Sequence, residues 1–149
     1  MKAIYLKQVA FLLEILPTLN ECDAFALKGG TAINFFFQNA PRLSIDIDLS
    51  YLPIEPRSQF LRNLTDELEK LAQLIQMLDR NIFIKKHYTN KNKQLSKLQV
   101  SKDVVEVKIE PSLVLRGYVF EPVQQTLCKN LQDQFFQAFK IKAMSRADV

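Results

Sequence analysis

Several residue types that define common protein classes are scarce in this 149-residue chain. It has two cysteines, Cys22 and Cys128, far apart and outside any CxxC motif, so neither a disulfide framework nor a zinc site is indicated. Only three glycines and six prolines are present, which excludes collagen-like and low-complexity chains. No apolar stretch approaches the roughly 18 residues that span a bilayer, and no secretory cleavage pattern follows the N-terminal segment. These absences predict a reduced, cytoplasmic protein without membrane attachment.

Catalytic motifs built on histidine or on glycine-rich loops are also missing. The single histidine, His87, excludes a histidine-rich metal site and a Ser-His-Asp triad. The sequence contains neither GxxxxGK[ST] nor GxGxxG, the motifs that bind phosphates in two large nucleotide-binding classes. Any chemistry must therefore come from other residues, and carboxylates are the main candidates.

Positive charge is concentrated in one stretch of the chain. The net charge is 20 − 16 = +4, but residues 80–102 hold seven cations and no carboxylate at all before Asp103. The cations are Arg80, Lys85, Lys86, Lys91, Lys93, Lys97 and Lys102. Such a block attracts polyanions such as RNA. Lysines that protect the edge of a sheet are the alternative explanation.

The apolar pattern predicts a single domain with interleaved helices and strands. Apolar residues three and four apart predict amphipathic helices, and the stripe from Leu61 to Leu78 favours packing on a core over a coiled coil. Helices are expected at 4–19, 32–39 (capped by Thr31), 58–78 and 131–144. Strands are expected at 25–27, 44–51, 81–88, 94–100 and 104–110, the last ended by Pro111. The fold class is therefore α/β or α+β, a mixed sheet flanked by helices.

Two of the predicted strands carry acidic residues on their polar faces. Side chains alternate along a strand, so Asp46 and Asp48 share one face, about 7 Å apart at their Cα atoms. Their oxygens suit Mg²⁺, although two solvated aspartates would give the same pattern. On the later strand, Glu106, Lys108 and Glu110 share the polar face. If the strands are neighbours, Glu110 is preferred to Glu106 as the third carboxylate.

A glycine pair lies between the first strand and the next helix. Gly29 and Gly30 permit positive φ angles and close approach of a ligand to the backbone, and Thr31 follows them. The start of the helix directs free N–H groups at this turn, which suits a phosphate. An ordinary tight turn is the alternative.

Taken together, these segments resemble the AbiEii/AbiGii toxin family, whose fold is shared with DNA polymerase beta. The resemblance is carried by ALKGGTAINFFF (26–37), PRLSIDIDLSY (41–51) and VEVKIEPS (105–112), and 29–51 is its most specific part. It implies a nucleotidyltransferase-like domain that transfers a nucleotide from an NTP to an acceptor such as tRNA. It also implies a toxin that is paired with a cognate antitoxin protein.

The resemblance assigns roles to individual residues. Asp46, Asp48 and Glu110 would hold magnesium, two ions in this family. In the mechanism that we expect from these residues, Glu110 completes the metal site or takes the proton of the attacking hydroxyl, and Lys108 neutralises charge that builds up during transfer. The NTP phosphates would be held by five further residues, namely Gly29, Gly30, Thr31, Arg42 and Ser44. The basic stretch from Arg80 to Lys102 would hold the RNA.

Two other functions are compatible with the same residues. Family members continue beyond the segment that ends at Val149 into a helical region, so residues 1–149 are expected to form the nucleotidyltransferase-like domain alone. A domain without that region could bind nucleotide or RNA without turnover. An NTP-dependent protein phosphotransferase on the same fold is the other alternative.

Overall fold

A computed structural model describes residues 2–42, 45–89, 91, 93–146 and 148 of the chain. The helices are α1 (Lys2–Ile15), α2 (Gly29–Ala32), α3 (Arg57–Gln76) and α4 (Lys129–Phe135). The strands are β1 (Phe25–Lys28), β2 (Asp46–Tyr51), β3 (Ile82–Tyr88), β4 (Leu95–Lys102), β5 (Val105–Arg116), β6 (Val123–Thr126) and β7 (Lys140–Ala143). A 3₁₀ helix (Leu16–Glu21) follows α1, and a π-helical turn (Ile33–Phe37) extends α2.

Within the described residues, the seven strands form one mixed sheet in the order β3-β4-β5-β2-β1-β7-β6. The pairs β2/β5 and β1/β7 are parallel, and the other neighbours are antiparallel. The predicted mixed sheet is therefore confirmed. Most important for function, β2 and β5 lie side by side, although more than fifty residues separate them in sequence.

One face of the sheet is covered by α1 and α3. The stripe on α3 is buried, with Leu64, Leu68 and Leu71 fully inaccessible, so it packs on the core as predicted. On the sheet, Ile47, Leu49 and the alternate residues of β5 join the same core cluster. Because side chains alternate along a strand, the polar residues of β2 and β5 lie on the opposite face.

The C-terminal part of the chain differs from its predicted structure. The expected helix at 131–144 is wrong beyond α4, because Phe136 adopts a left-handed conformation (φ 55°) and the chain then continues as β7. Ile141 and Ala143 are fully buried between β1 and β6. Sheet pairing therefore overrides the helical spacing, and β6, which has no apolar alternation, was not predicted.

Two element boundaries also differ. β5 does not end at Pro111 but continues beyond it. Pro111 is opposite Leu49, at the point where the pairing with β2 becomes irregular. A proline is tolerated there because its missing N–H is not needed for a ladder hydrogen bond. The helix after β1 begins at Gly29, so Lys28 is its N-cap and Thr31 lies inside it. Among the described residues, no helix is both long and apolar enough to cross a membrane.

Candidate active site

The acidic residues of β2 and β5 meet on the open face of the sheet. In the parallel ladder Asp48 is opposite Glu110, and Asp46 is opposite Lys108. Cross-strand partners project to the same side of a sheet, so these four side chains form one cluster. The side of the sheet on which they lie is here called the carboxylate face. Asp48 is half-buried, and its three neighbours are exposed. The two acidic strands are therefore neighbours, which was the condition for a third carboxylate beside Asp46 and Asp48.

The surroundings of Asp48 change the pKa of its carboxyl group. Burial raises the pKa of the Asp48 carboxyl, and the negative charges of Asp46 and Glu110 raise it further. Lys28, the cross-strand partner of Asp48 on β1, partly opposes this shift. Like charges held together in this way favour protonation of one member or binding of a cation.

The turn at Gly29 closes one side of the cluster. Gly29 has φ +75°, a region that residues with a Cβ rarely adopt. A Cβ at this position would also lie 2.6 Å from Oδ2 of Asp48. Gly29 is therefore needed both for the turn and for the contact between that turn and the Asp48 carboxylate. Gly30, by contrast, has a normal φ and room for a methyl group.

The remaining predicted phosphate contacts have different surroundings. Thr31 is buried, and its hydroxyl donates a hydrogen bond to the main-chain oxygen of Asp46, which ties the helix to β2. Arg42 is exposed in the segment that leads to β2. Ser44 lies outside the described residues. The phosphate-binding role of all three stays a prediction.

Glu106 is positioned away from the cluster. It is opposite Ser101 on β4, and its Oε1 accepts a hydrogen bond from the side-chain amide of Gln99. It also precedes the part of β5 that pairs with β2. The geometry therefore favours Glu110 over Glu106 as the third carboxylate. His87 bonds to Gln99 (2.7 Å) as well, which is a structural contact.

The basic stretch divides between the two faces of the sheet. Lys86 pairs with Glu69 of α3 at 2.5 Å, and Lys102 pairs with Glu14 of α1 at 2.8 Å, both on the helical side. Lys85 is opposite Gln99, which is in turn opposite Lys108, so Lys85 lies on the carboxylate face. Lys97 shares this face because it is two residues from Gln99 on β4. Since β3 is an edge strand, edge protection also fits Lys85 and Lys86.

The donor chemistry of the carboxylate face fits a hard divalent cation. Carboxylate oxygens are the ligands that Mg²⁺ prefers, and the shifted pKa of Asp48 marks negative charge that a cation would offset. In the described ranges, however, no group of three carboxylate, thiol or imidazole side chains is arranged so that it could hold a metal ion. The three carboxylates are neighbours in the register of β2 and β5.

Two residues of the site were missed from sequence. Lys28 directly precedes the glycine pair, and in the structure it is opposite Asp48 on the neighbouring strand β1. Ser50 follows Asp48 on the same face and is buried. Their importance depends on the antiparallel pairing of β1 with β2, which no local pattern in the sequence indicates.

The fold is shared with a nucleotidyltransferase of known structure. Among solved structures the chain is similar to MenT4, a nucleotidyltransferase toxin from Mycobacterium tuberculosis H37Rv, with a TM-score of 0.62 and 12% sequence identity. The similarity covers 93% of this chain and 48% of that one, so the chain spans about half the length of the solved toxin. At this identity the likeness shows the fold alone. No curated protein sequence matches the chain.

The sequence itself identifies the family. The family model described as nucleotidyl transferase AbiEii toxin, type IV toxin–antitoxin system, matches residues 10–149. The chain therefore belongs to the AbiEii nucleotidyltransferase toxin family, as the resemblance implied.

Proposed function

We propose that this domain catalyses magnesium-dependent transfer of a nucleotide from an NTP to an RNA acceptor such as tRNA, as the toxin of a toxin–antitoxin pair. The observation that carries the proposal is the placement of Asp48 opposite Glu110, with Asp46 on the same face and Gly29 packed against Asp48. The family and fold support the transferase class. The cognate antitoxin would be its protein partner.

In the proposed reaction, an acceptor hydroxyl attacks the α-phosphorus of the NTP and pyrophosphate leaves. Asp46, Asp48 and Glu110 would hold one or two Mg²⁺ ions, which supply charge neutralisation at the phosphate oxygens. Lys108, beside Asp46, adds positive charge where negative charge develops. Glu110, exposed at the edge of the cluster, would either complete this metal site or, if it is not a ligand, accept the acceptor's proton. The Gly29–Gly30 turn and Arg42 orient the triphosphate.

The lysines of the carboxylate face support RNA as the acceptor. Lys85 and Lys97 extend the positive charge of Lys108 across β4 and β3. Lys85 is two strands from Lys108, and Lys97, one position before the Leu98–Ile109 pair, borders Glu110. A polyanion lying along this row would end at the reactive cluster. Lys86 and Lys102 do not contribute, because carboxylates on the helices already neutralise them.

Binding of nucleotide or RNA without turnover is the second candidate. It is favoured by one observation, namely that the described carboxylates do not form a ready-made metal site. The two candidates differ in a single measurable step, the formation of a covalent product.

Transfer of label from NTP to a total tRNA pool tests the proposal. We expect label from α-³²P-NTP, and none from γ-³²P-NTP, to appear on the RNA in the presence of Mg²⁺. Label from the γ-position on protein would instead indicate a phosphotransferase. Asp48→Asn should abolish transfer, whereas Glu106→Gln, a carboxylate of the same sheet outside the cluster, should retain it. Equal transfer by the Asp48→Asn variant and the wild type would refute the assignment.

A charge series tests the RNA surface separately. Lys85→Glu and Lys97→Glu should weaken tRNA binding and reduce its salt dependence, since each removed phosphate contact lowers the slope by about one. Lys86→Gln is the matched control, because its ammonium group is paired with Glu69 on the other side of the sheet. A loss of binding that is equal in all three variants would exclude the carboxylate face as the RNA surface.

A further inference from the structure

A hollow of about 320 Å³ lies on the sheet next to the carboxylate face. Its wall includes six residues that matter here: Lys28, Ser50, Tyr118, Val119, Met144 and Asp148. We call it the Tyr118 hollow. It combines apolar side chains with a hydroxyl, an ammonium and a carboxylate group, which is the mixture expected of a small-molecule site.

The position of the Tyr118 hollow relates it directly to Asp48. Lys28 is the cross-strand partner of Asp48, and Ser50 is two residues beyond Asp48 on the same strand face. Both residues line the hollow. The hollow therefore begins within one strand spacing, about 5–7 Å, of the catalytic carboxylate. A neighbouring hollow of about 400 Å³ shares Tyr118, but neither Lys28 nor Ser50 lines it, so it lies farther from Asp48. The hollow between α1 and the β4–β5 turn lies on the helical side.

The loop that forms the wall is held at both ends. Gly117 donates its N–H to the main-chain oxygen of Tyr51 (2.9 Å), and its φ of +77° sets the direction of the following residues. Asp148 accepts hydrogen bonds from the backbone N–H groups of Val119 (3.1 Å) and Phe120 (2.7 Å). A fixed loop costs less ordering entropy when a ligand binds.

We propose that the Tyr118 hollow binds the nucleoside part of the substrate NTP, with the base against Tyr118 and the α-phosphate beside Lys28. This inference rests on the proposed function, since it requires the triphosphate to lie at the carboxylate face. The nucleoside is joined to the α-phosphate, so it must occupy space directly next to the carboxylates. The hollow offers that space, and the charge of Lys28 lies at the junction between the two.

Two probes separate the nucleoside contact from the phosphate contact. Binding of an NTP (ATP, GTP, CTP and UTP in turn) and of inorganic tripolyphosphate is measured by calorimetry with Mg²⁺ and the full chain. Tyr118→Ala should weaken binding of the preferred NTP at least about fivefold, the lower end of what one base–aromatic stack contributes, and leave tripolyphosphate binding unchanged. Phe120→Ala is the matched control, because Phe120 is an exposed aromatic residue of the same loop that does not line the hollow.

Spectroscopy locates the contact without relying on a variant. Backbone amide signals of Gly117 and Val119 should shift when the preferred NTP is added and stay in place with tripolyphosphate. The inference is overturned if wild type binds both probes equally, or if Tyr118→Ala binds the NTP as wild type does. Failure of the proposed function has a different signature: tripolyphosphate binding would then be absent from wild type or unaffected by Asp48→Asn.

Discussion

Replacing Asp48 by Asn should make the domain more stable while abolishing the proposed nucleotide transfer. Asn has nearly the same shape, so the packing against Gly29 is retained. The variant removes a negative charge that is opposite Glu110 and two residues from Asp46 on the same face. Holding these like charges together lowers the folding stability of the wild type. Such a cost is expected where residues are retained for binding a ligand and not for stability.

The size of the effect follows from the register. Same-face neighbours on a sheet place their carboxylates about 6 Å apart, and an effective dielectric constant of about 40–80 gives roughly 0.7–1.4 kcal/mol for each repulsive pair. Two such pairs act on Asp48, and the attraction to Lys28 cancels about one of them. The burial cost of the charge adds to the remainder. We therefore expect Asp48→Asn to raise the free energy of unfolding by about 1–2 kcal/mol, or the Tm by roughly 2–8 °C.

Thermal melts at several pH values, with and without Mg²⁺, test this estimate. The pKa of Asp48 is raised above its ordinary 3.8, so the folded state binds the proton more tightly than the unfolded state does. Wild type therefore loses stability as the pH rises through the folded pKa, and its difference from the variant should shrink towards zero near pH 4. Mg²⁺ should stabilise the wild type more than the variant. A less stable variant at pH 7, or equal stabilisation of both proteins by Mg²⁺, would refute the coupling of these carboxylates.

Three further outcomes are expected. Gly29→Ala should destabilise the fold by about 1–3 kcal/mol in urea unfolding, because of its positive φ and the close Asp48 carboxylate, whereas Gly30→Ala should be neutral or stabilising. Burial, and after it the hydrogen bond that the Tyr51 hydroxyl donates to Glu55, raise the pKa of Tyr51 to about 12, so the free energy of unfolding should fall by about 2 kcal/mol between pH 10 and 12. Tyr51→Phe should lack this component, and an unchanged alkaline profile in the variant would contradict it. Glu110→Gln should lose nucleotide transfer while Glu106→Gln keeps it, and the reverse result would exchange their roles.

The local chemistry of the site could be predicted from sequence because it is encoded in short segments. The alternation around Asp46 and Asp48 determines which side of a strand they occupy, whatever the sheet order. Gly29 predicts a turn because glycine adopts a positive φ angle more readily than any other residue. The strong periodicity of α3 also made its burial predictable, because apolar residues three and four apart form one continuous apolar face of a helix.

What could not be predicted is the arrangement that depends on distant segments. The helical spacing of Leu131, Phe135 and Phe139 was extended through Lys140–Ala143, whose short alternation is too brief to identify a strand by itself, yet the segment forms β7 because it completes the sheet between β1 and β6. The role of Lys28 depends on pairing between β1 and β2, and that of the Tyr118 loop depends on bonds to Tyr51 and Asp148. These contacts are specified by tertiary packing, which local propensity does not record.

The parallel pairing of β2 with β5 explains why one face of the sheet concentrates the proposed chemistry. Parallel neighbours run in the same direction, so polar residues at equal positions of both strands come together in register, here Asp46 with Lys108 and Asp48 with Glu110. On the other side of β5, antiparallel β4 brings Gln99 beside Lys108 and leads to Lys85 on β3. On the other side of β2, β1 brings Lys28 beside Asp48. Two adjacent rows of cross-strand partners thus cross this face: one runs from Lys85 through Gln99 and Lys108 to Asp46, and the other joins Glu110, Asp48 and Lys28. The Tyr118 hollow adjoins the second row at Lys28. This is the order that the proposed reaction requires, with an RNA acceptor, a reacting phosphate and a bound nucleotide following one another along the face.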